Sequence, residues 1–320
     1  MSDILFSLDE LSIDSIRDGE RRRIVDHVSL AVRRGELYGL VGESGSGKSI
    51  SMMASVGLAA SGLEVAGGTV RFAADQRPAA DQKGLRRNLS RGVSLLFQNA
   101  KGALNPFMTV GRQVERALRQ KRRVRDLAGE VDNLFRVVGL SWRDLGRKYP
   151  HQISGGQAQR VAMACALATE PALLIADEPT TALDVTTERE LLRFLARLCA
   201  EREMAIVLIA HNLSLVSEYC RSLSIMHAGQ VVEEGDLKAI FARPLHPYTQ
   251  GLIRAVPDVD SPRELVPLVG SVWGGPQGIE RCRFSHRCPH RRPDCDRGRP
   301  AAVDRDGRAV HCVLYEEVPA

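Results

Sequence analysis

The chain has 320 residues, with 44 Lys and Arg against 39 Asp and Glu for a formal net charge of +5, and is 44% hydrophobic and 26% charged. That is ordinary globular composition, which excludes disordered, collagen-like and coiled-coil classes, and a chain this long buries a substantial core. A charge of +5 is too mild to argue for a nucleic-acid partner, and the bias of 38 Arg over six Lys has no functional account in the sequence.

The N-terminus, MSDILFSLDE, carries early acids and no basic segment, so no signal peptide is expected, and a reducing, cytosolic compartment follows. Residues 3 to 35 read as short alternating strands, LSIDSI and VSLAV being the clearest. ELYGLVG (36–42) is a near-continuous apolar run, as a strand buried on both faces would be. SGSGKS follows at once, then a helical stretch, SISMMASVGLAA; GVSLLFQ (92–98) reads as another strand. From Asn105 to Ala168 the period turns helical, with apolar residues at i, i+3 and i+4 in VGRQVERALRQ and DNLFRVVGL. ALLIADE (172–178) is a buried strand, TTERELLRFLARLCAE a helix, MAIVLIAH (204–211) a further buried strand, and SLSIMHAGQVVEEG a hairpin-like pattern. The longest apolar-looking run, Val161 to Ala176, is broken by Thr169, Glu170 and Pro171, so no segment is expected to span a membrane. After about residue 242 the composition shifts to Pro, Gly and Arg, which marks a boundary.

Gly42-Glu43-Ser44-Gly45-Ser46-Gly47-Lys48-Ser49 matches G-x-x-x-x-G-K-[ST] between a strand and a helix. Its glycines let successive N–H groups turn inward toward phosphate oxygens. Lys48 is placed to reach the β- and γ-phosphates, Ser49 offers a hydroxyl to Mg²⁺, and the following helix directs its dipole at the same anion. Asp177 and Glu178 end an apolar strand. Beside a phosphate loop, Asp177 would hold Mg²⁺ and Glu178 would orient or deprotonate the attacking water.

Three spacings then narrow the class. Ile153-Ser154-Gly155-Gly156-Gln157 precedes Glu178 by 24 residues counted from Ser154, Gln98 follows Lys48 by 50, and His211 follows Glu178 by 33. This order resembles the ABC ATPases, with Walker A, Q-loop, signature, Walker B, D-loop (Thr181-Ala182-Leu183-Asp184) and switch histidine, over roughly residues 3 to 242. The resemblance implies ATP and Mg²⁺ as cofactors, Gln98 at the Mg²⁺ or the attacking water, and His211 on the γ-phosphate. Ser154, Gly155, Gly156 and Gln157 would complete the site of a second ATPase subunit, and Asp184 of the D-loop would take part in binding the nucleotide. Ile153 stands where Leu is common, a near-isosteric change. The aromatic that usually stacks on adenine ahead of the loop is missing, since residues 19 to 25 read GERRRIV. Arg21 to Arg23 either stack on adenine or form a solvated charge run, the latter being slightly favoured.

Pro244-Leu245-His246-Pro247-Tyr248-Thr249-Gln250-Gly251-Leu252, then Ala255-Val256-Pro257, together with GESGSGKS, ADEPTTALDVT and LNPFMTVG (104–111), resembles the ATPase subunits of the dipeptide, oligopeptide and nickel importers. Of seven cysteines, Cys165, Cys199 and Cys220 fall in apolar or helical patterns and read as core. Cys282, Cys288, Cys295 and Cys312 are spaced C-x5-C-x6-C-x16-C, and four thiolates suffice for a [4Fe–4S] cluster or Zn²⁺. The resembling C-terminal domains carry this pattern, and the absence of short CxxC pairs tilts the reading to the cluster, with His286, His290 and His311 as alternative ligands. Arg281, Arg283, Arg287, Arg291, Arg292, Arg297 and Arg299 would form a basic shell offsetting the thiolates. The run Arg112, Arg116, Arg119, Lys121, Arg122, Arg123, Arg125 reads as a solvated helix face.

The expected architecture is an α/β P-loop ABC ATPase domain over 1–242, with a mainly parallel core sheet and an inserted helical subdomain at about 100–165, followed by a Cys-rich C-terminal domain over 243–320. The resemblance implies an ATPase at the cytoplasmic face of the inner membrane, paired with a second, distinct ATPase and two transmembrane permease subunits. An extracytoplasmic binding protein would act indirectly and no nucleic acid would take part. Peptide is the default substrate and nickel or a metallophore the alternative.

Overall fold

The computed structural model describes residues 3–120, 124–180, 184–255, 268–273 and 281–316. The chain divides into two compact units, Met1–Arg33 with Leu37–Arg86 and Ile209–Ala320, and Arg34–Glu36 with Arg87–Leu208.

In the first unit the expected short strands are two long ones, Ile4–Arg17 and Glu20–Arg33, paired antiparallel. Asp18 and Gly19, both at positive φ, make the two-residue turn that matches the twist of such a hairpin. Register shifts at Ile4/Phe6, Leu8/Leu11, Leu11/Ile13 and Ile13/Asp14 explain the misreading. Each irregularity breaks the period-2 alternation without ending the strand, so a continuous strand looks fragmented in sequence. Leu63–Phe72 pairs with the free side of Ile4–Arg17, and Asp75–Pro78 with Leu63–Phe72.

The other sheet of this unit runs Ala302–Arg305, Arg308–His311, Gln230–Asp236, Ser222–His227, Leu37–Val41. Leu37–Val41 is buried at every residue, as its unbroken apolar run predicts. It lies parallel to Ser222–His227. The hairpin expected in SLSIMHAGQVVEEG is present, Ser222–His227 and Gln230–Asp236 being joined through Ala228 and Gly229, both at positive φ. The remaining pairings are antiparallel, so this sheet is mixed. Arg308–His311 pairs with Gln230–Asp236, so the described part of 243–320 shares a compact unit with the strands before it.

In the second unit, Val93–Leu96 and Leu173–Asp177 are parallel neighbours, and the Ala205 N–H donates to the Ala172 carbonyl at 2.8 Å. Helices Ala100–Ala103, Val110–Arg119, Leu127–Val137, Trp142–Leu145 and Gly155–Leu167 fill the span between these strands. Val114, Val131, Phe135, Val161 and Ala164 are buried among them. Side chains stop the fraying of four of these helices: Asn99 accepts from the Gly102 N–H, Asp126 from Gly129, Ser141 from Asp144 and Ser154 from Gln157. Arg112, Arg116, Arg119 and Arg125 are exposed, which fits the solvated face; Lys121, Arg122 and Arg123 lie outside the described residues. Cys199 and Cys220 are buried and Cys165 half-buried. Among the described residues no helix is long and apolar enough to cross a membrane.

Candidate functional site

The phosphate loop belongs to the first unit. The strand Leu37–Val41 delivers it and the helix Lys48–Ser55 leaves it. Gly42 (φ 154°) and Gly47 (φ 100°) take backbone angles that favour glycine, and a Cβ on Gly42 would collide with the Met226 carbonyl. The loop is therefore backed closely by the turn after Ser222–His227, whose Gly229 N–H donates to the Ser46 carbonyl at 2.8 Å. Lys48 is buried and its ammonium folds over the loop. It donates to the carbonyls of Gly42 (2.8 Å) and Glu43 (3.0 Å) and to Ser46 Oγ (3.3 Å). The helix has no side-chain cap at Gly47, so its first turn offers backbone donors and a positive dipole end to an anion.

Glu43 turns its side chain away from the loop. Arg287 grips it with two hydrogen bonds, Nη1 to Oε2 at 2.7 Å and Nη2 to Oε1 at 3.0 Å. Its N–H donates to Tyr248 Oη at 3.0 Å, and His227 Nδ1 stands 3.6 Å from Oε2. Burial opposes ionisation of Glu43, but the adjoining His227 and Arg287 overcome it and hold the carboxyl at about 2. His227, His246, Tyr248 and Phe284 pack their rings together behind the loop. Burial drives His246 down to about 3, so it is neutral, and its Nδ1 accepts the Tyr248 N–H. Nothing in the phosphate-loop motif signals these contacts, which come from 184 to 244 residues downstream.

The three arginines ahead of the loop each have a partner, and Arg21 and Arg22 remain exposed. Arg21 bonds Asp14 and Glu64, Arg23 bonds the buried Asp14, and the Arg22 guanidinium lies 4.8 Å from the centroid of Trp273. Their spacing in sequence could not reveal carboxylates on neighbouring strands or an indole beyond residue 270. His211 is exposed after the strand Ala205–Ala210, and Asn212 beside it caps Leu213–Tyr219.

In the second unit, strand register explains a meeting. Leu96 pairs with Ala176 in a parallel ladder, so Gln98 and Glu178 both lie two residues past the last pair. Gln98 Nε2 donates to Glu178 Oε2 at 2.9 Å. Asp177 is buried at the strand end, and Glu178 takes a left-handed φ of 43°, a strained conformation that concentrates at functional sites. The signature residues open the helix Gly155–Leu167 with a reciprocal cap: Gln157 N–H donates to Ser154 Oγ at 3.2 Å and Ser154 N–H to Gln157 Oε1 at 3.0 Å. Ser154 and Gly155 are exposed, and Ile153 packs inward. Asp184 caps Val185–Arg202, accepting from the N–H groups of Thr186 and Thr187 and from the Thr187 hydroxyl, which lowers its pKa. Thr181, Ala182 and Leu183 lie outside the described residues, as do Val256 and Pro257.

Cys282, Cys288, Cys295 and Cys312 are free thiols, three of them buried. Burial pushes Cys282 up to about 12 and Cys312 to about 11; Cys288, Cys295 and Cys312 raise Cys282 further, and Cys288 and Cys295 raise Cys312. Amide N–H groups of His290 and Arg292 point at the sulfurs of Cys288 and Cys295, each at 3.4 Å. Among the described residues no three or more His, Cys, Asp or Glu side chains are arranged to hold a single metal ion. Ring nitrogens of His286 and His311 face the carbonyls of Ser271 and Pro300. The expected basic shell is mostly neutralised already: Arg281 and Arg291 bridge Asp296, Arg297 bridges Asp294, Arg287 bridges Glu43, and Arg283 and Arg299 lie 3.7 Å from Asp26 and Glu10.

Comparison with known proteins gives this geometry a family. Residues 25–181 match the model of the ABC transporter family, and residues 232–295 that of the oligopeptide/dipeptide transporter C-terminal region. The dipeptide transport ATP-binding protein DppD of Escherichia coli (strain K12) is 39% identical over 319 residues, 96% of each chain. The oligopeptide transport ATP-binding protein AppD of Bacillus subtilis (strain 168) is 37% identical over 322 residues, 98% of this chain and 97% of that one. Among solved structures, the dimeric post-hydrolysis state of the ATP-binding cassette MJ0796, bound to ADP and Pi, superposes with a TM-score of 0.64 at 26% identity, covering 72% of this chain and 98% of that one. The chain belongs to the ABC transporter family, among the ATP-binding subunits that carry the oligopeptide/dipeptide transporter C-terminal region.

Proposed function

We propose that this chain hydrolyses ATP to ADP and phosphate and so energises peptide import through a separate membrane permease. The hydrogen bond between Gln98 and Glu178 carries the reading, because it fixes the carboxylate that would orient and deprotonate the attacking water. Lys48 would hold the β- and γ-phosphates, the amides of Gly42, Glu43, Ser44, Gly45, Ser46 and Gly47 would line them, and His211 would contact the γ-phosphate. Ser49, Asp177 and Gln98 are hard oxygen donors of the kind Mg²⁺ takes, and the ion, when bound, neutralises charge between the two terminal phosphates. Ser154, Gly155, Gly156 and Gln157, with Asp184, would face the nucleotide of a second, distinct ATPase subunit. Helices within 100–165 would act as the subdomain that transmits closure to two permease subunits at the inner face of the membrane, and an external binding protein would deliver cargo. The names of the relatives favour peptides over nickel or a metallophore. In the C-terminal part, 243–320, we assign the four cysteines to a [4Fe–4S] cluster, with Zn²⁺ as the alternative; the thiol neighbourhood and its amide donors support this.

The test is a pull-down of the Glu178→Gln chain from detergent-solubilised membranes with ATP and Mg²⁺, beside steady-state hydrolysis by the unaltered protein. Recovery of two polytopic permeases and a second ATPase, with turnover lost in the variant, supports the proposal. Turnover surviving Glu178→Gln, or recovery of soluble partners alone, overturns it.

A further inference from the structure

A nucleotide whose phosphates rest on this loop needs a surface for its base, and no aromatic side chain precedes the loop between residues 19 and 25. The structure provides another surface. The Trp273 indole N–H donates to the Gly45 carbonyl at 3.1 Å, which anchors that ring to the phosphate loop. The Arg22 guanidinium lies over the ring, 4.8 Å from its centroid, and Arg283 approaches the same ring at 5.6 Å. Arg21 and Arg23, on either side, are engaged by Asp14, so Arg22 alone of the three is laid on an indole. A second contact fixes the same place independently. A Cβ built on Gly47 would stand 3.5 Å from the Ile24 carbonyl, so the strand carrying Arg22 passes directly beside the loop. The indole covers one side of the guanidinium, and Arg22 is otherwise exposed. A guanidinium plane held in this way stacks on nucleobases as an aromatic ring does.

We infer that Arg22, held by Trp273, is the platform on which the adenine of ATP stacks. Arg22 is the binding residue and Trp273 the positioning residue, so a segment after residue 268 sets base affinity at a loop that ends at residue 49. The inference rests on the ATP reading of the phosphate loop given above.

The experiment is titration calorimetry of ATP and of inorganic tripolyphosphate on the full chain, made in the Glu178→Gln background to prevent turnover. Arg22→Ala and Trp273→Ala should each weaken ATP by about tenfold, the scale of one base stack, and leave tripolyphosphate within about twofold. Trp273→Phe should retain most of the ATP affinity, and Arg22→Tyr should restore it even with Trp273→Ala, because an aromatic then stands in the platform's place. Unchanged ATP affinity in Arg22→Ala and Trp273→Ala overturns the inference. So does an equal loss of ATP and tripolyphosphate, which would mean that the pair shapes the loop, or a gain in ATP affinity in Trp273→Ala, which would make the indole a cover. Lys48→Ala separates the two levels: if it leaves ATP affinity unaltered, the phosphate-loop reading itself fails.

Discussion

Two helices of this chain begin at glycine-rich segments, Lys48–Ser55 after SGSG and Gly155–Leu167 after Ser154, and in sequence both read as sites for phosphate. Their ends are built differently. The first has no side-chain cap, sits against the Met226 carbonyl and Gly229, and is crossed by its own buried Lys48. The second is closed by the Ser154–Gln157 box, is exposed, and has no atom within 4 Å of a Cβ built on Gly155. A helix start without a cap, buried among fixed groups, is a finished cradle for an anion. A capped, exposed start is stable without a ligand and presents a flat approach to another molecule. Similar composition thus encodes an uncapped, enclosed helix start in one place and a capped, exposed one in the other.

The sharpest way to break this comparison is to add one methyl group at each start. Gly42→Ala should abolish ATP binding, because the new Cβ meets the Met226 carbonyl and the backbone sits at a φ of 154°. Gly155→Ala should leave both the fold and ATP binding intact, as circular dichroism and calorimetry would show, and Gly155→Asp should stop only the turnover of the assembled pair. A thermal midpoint in Gly155→Ala lowered as far as in Gly42→Ala would erase the distinction. Next in size, Glu178→Gln should cut turnover by about 10²- to 10³-fold with ATP affinity unchanged, read by single-turnover hydrolysis. Smaller again is acid sensitivity. Burial holds the pKa of both His227 and His246 below 6.5, that of His246 at about 3, so the unfolded chain binds the extra protons. Stability is therefore full above pH 6.5 and falls below it; for His246 the fall continues toward pH 3 at up to about 1.4 kcal/mol per pH unit, and His227 acts in the same direction. Urea unfolding at pH 7 and pH 5 measures this, and His246→Phe should flatten the slope. Glu43 acts at lower pH: its contribution is present above about 4.5 and is lost as the pH falls through about 2. The smallest effect is at the second start, where Ser154→Ala should lower stability by about 1 kcal/mol in the same assay.

What was legible in the sequence was local. The loop from Gly42 to Ser49, the strand ending at Asp177 and the signature helix each announce themselves within a dozen residues, and each stands where its pattern puts it. Gln98 against Glu178 was legible only as a spacing, because parallel register is set by pairing that no single segment records. The strands Ile4–Arg17 and Glu20–Arg33 were misread because bulges disturb alternation, which is the whole of the strand signal. Trp273 was missed altogether. A lone aromatic in SVWGGP has no periodicity, and its partner Gly45 is 228 residues away. The partners of Arg21 and Arg23 escape the sequence for the same reason: charge spacing along a chain does not say which carboxylates other strands bring.

The pair Arg287–Glu43 has a consequence for how the protein is made. The two residues are separated by 244 positions, and Glu43 leaves the ribosome first. At about 5 to 20 residues per second, the loop waits roughly 10 to 50 s for the guanidinium that neutralises it. Throughout that interval the ring cluster behind the loop lacks Phe284 and the sheet lacks its last two strands. Nascent chains stalled before residue 287 should therefore remain open to protease near the loop, and chains released only a little later should close over it.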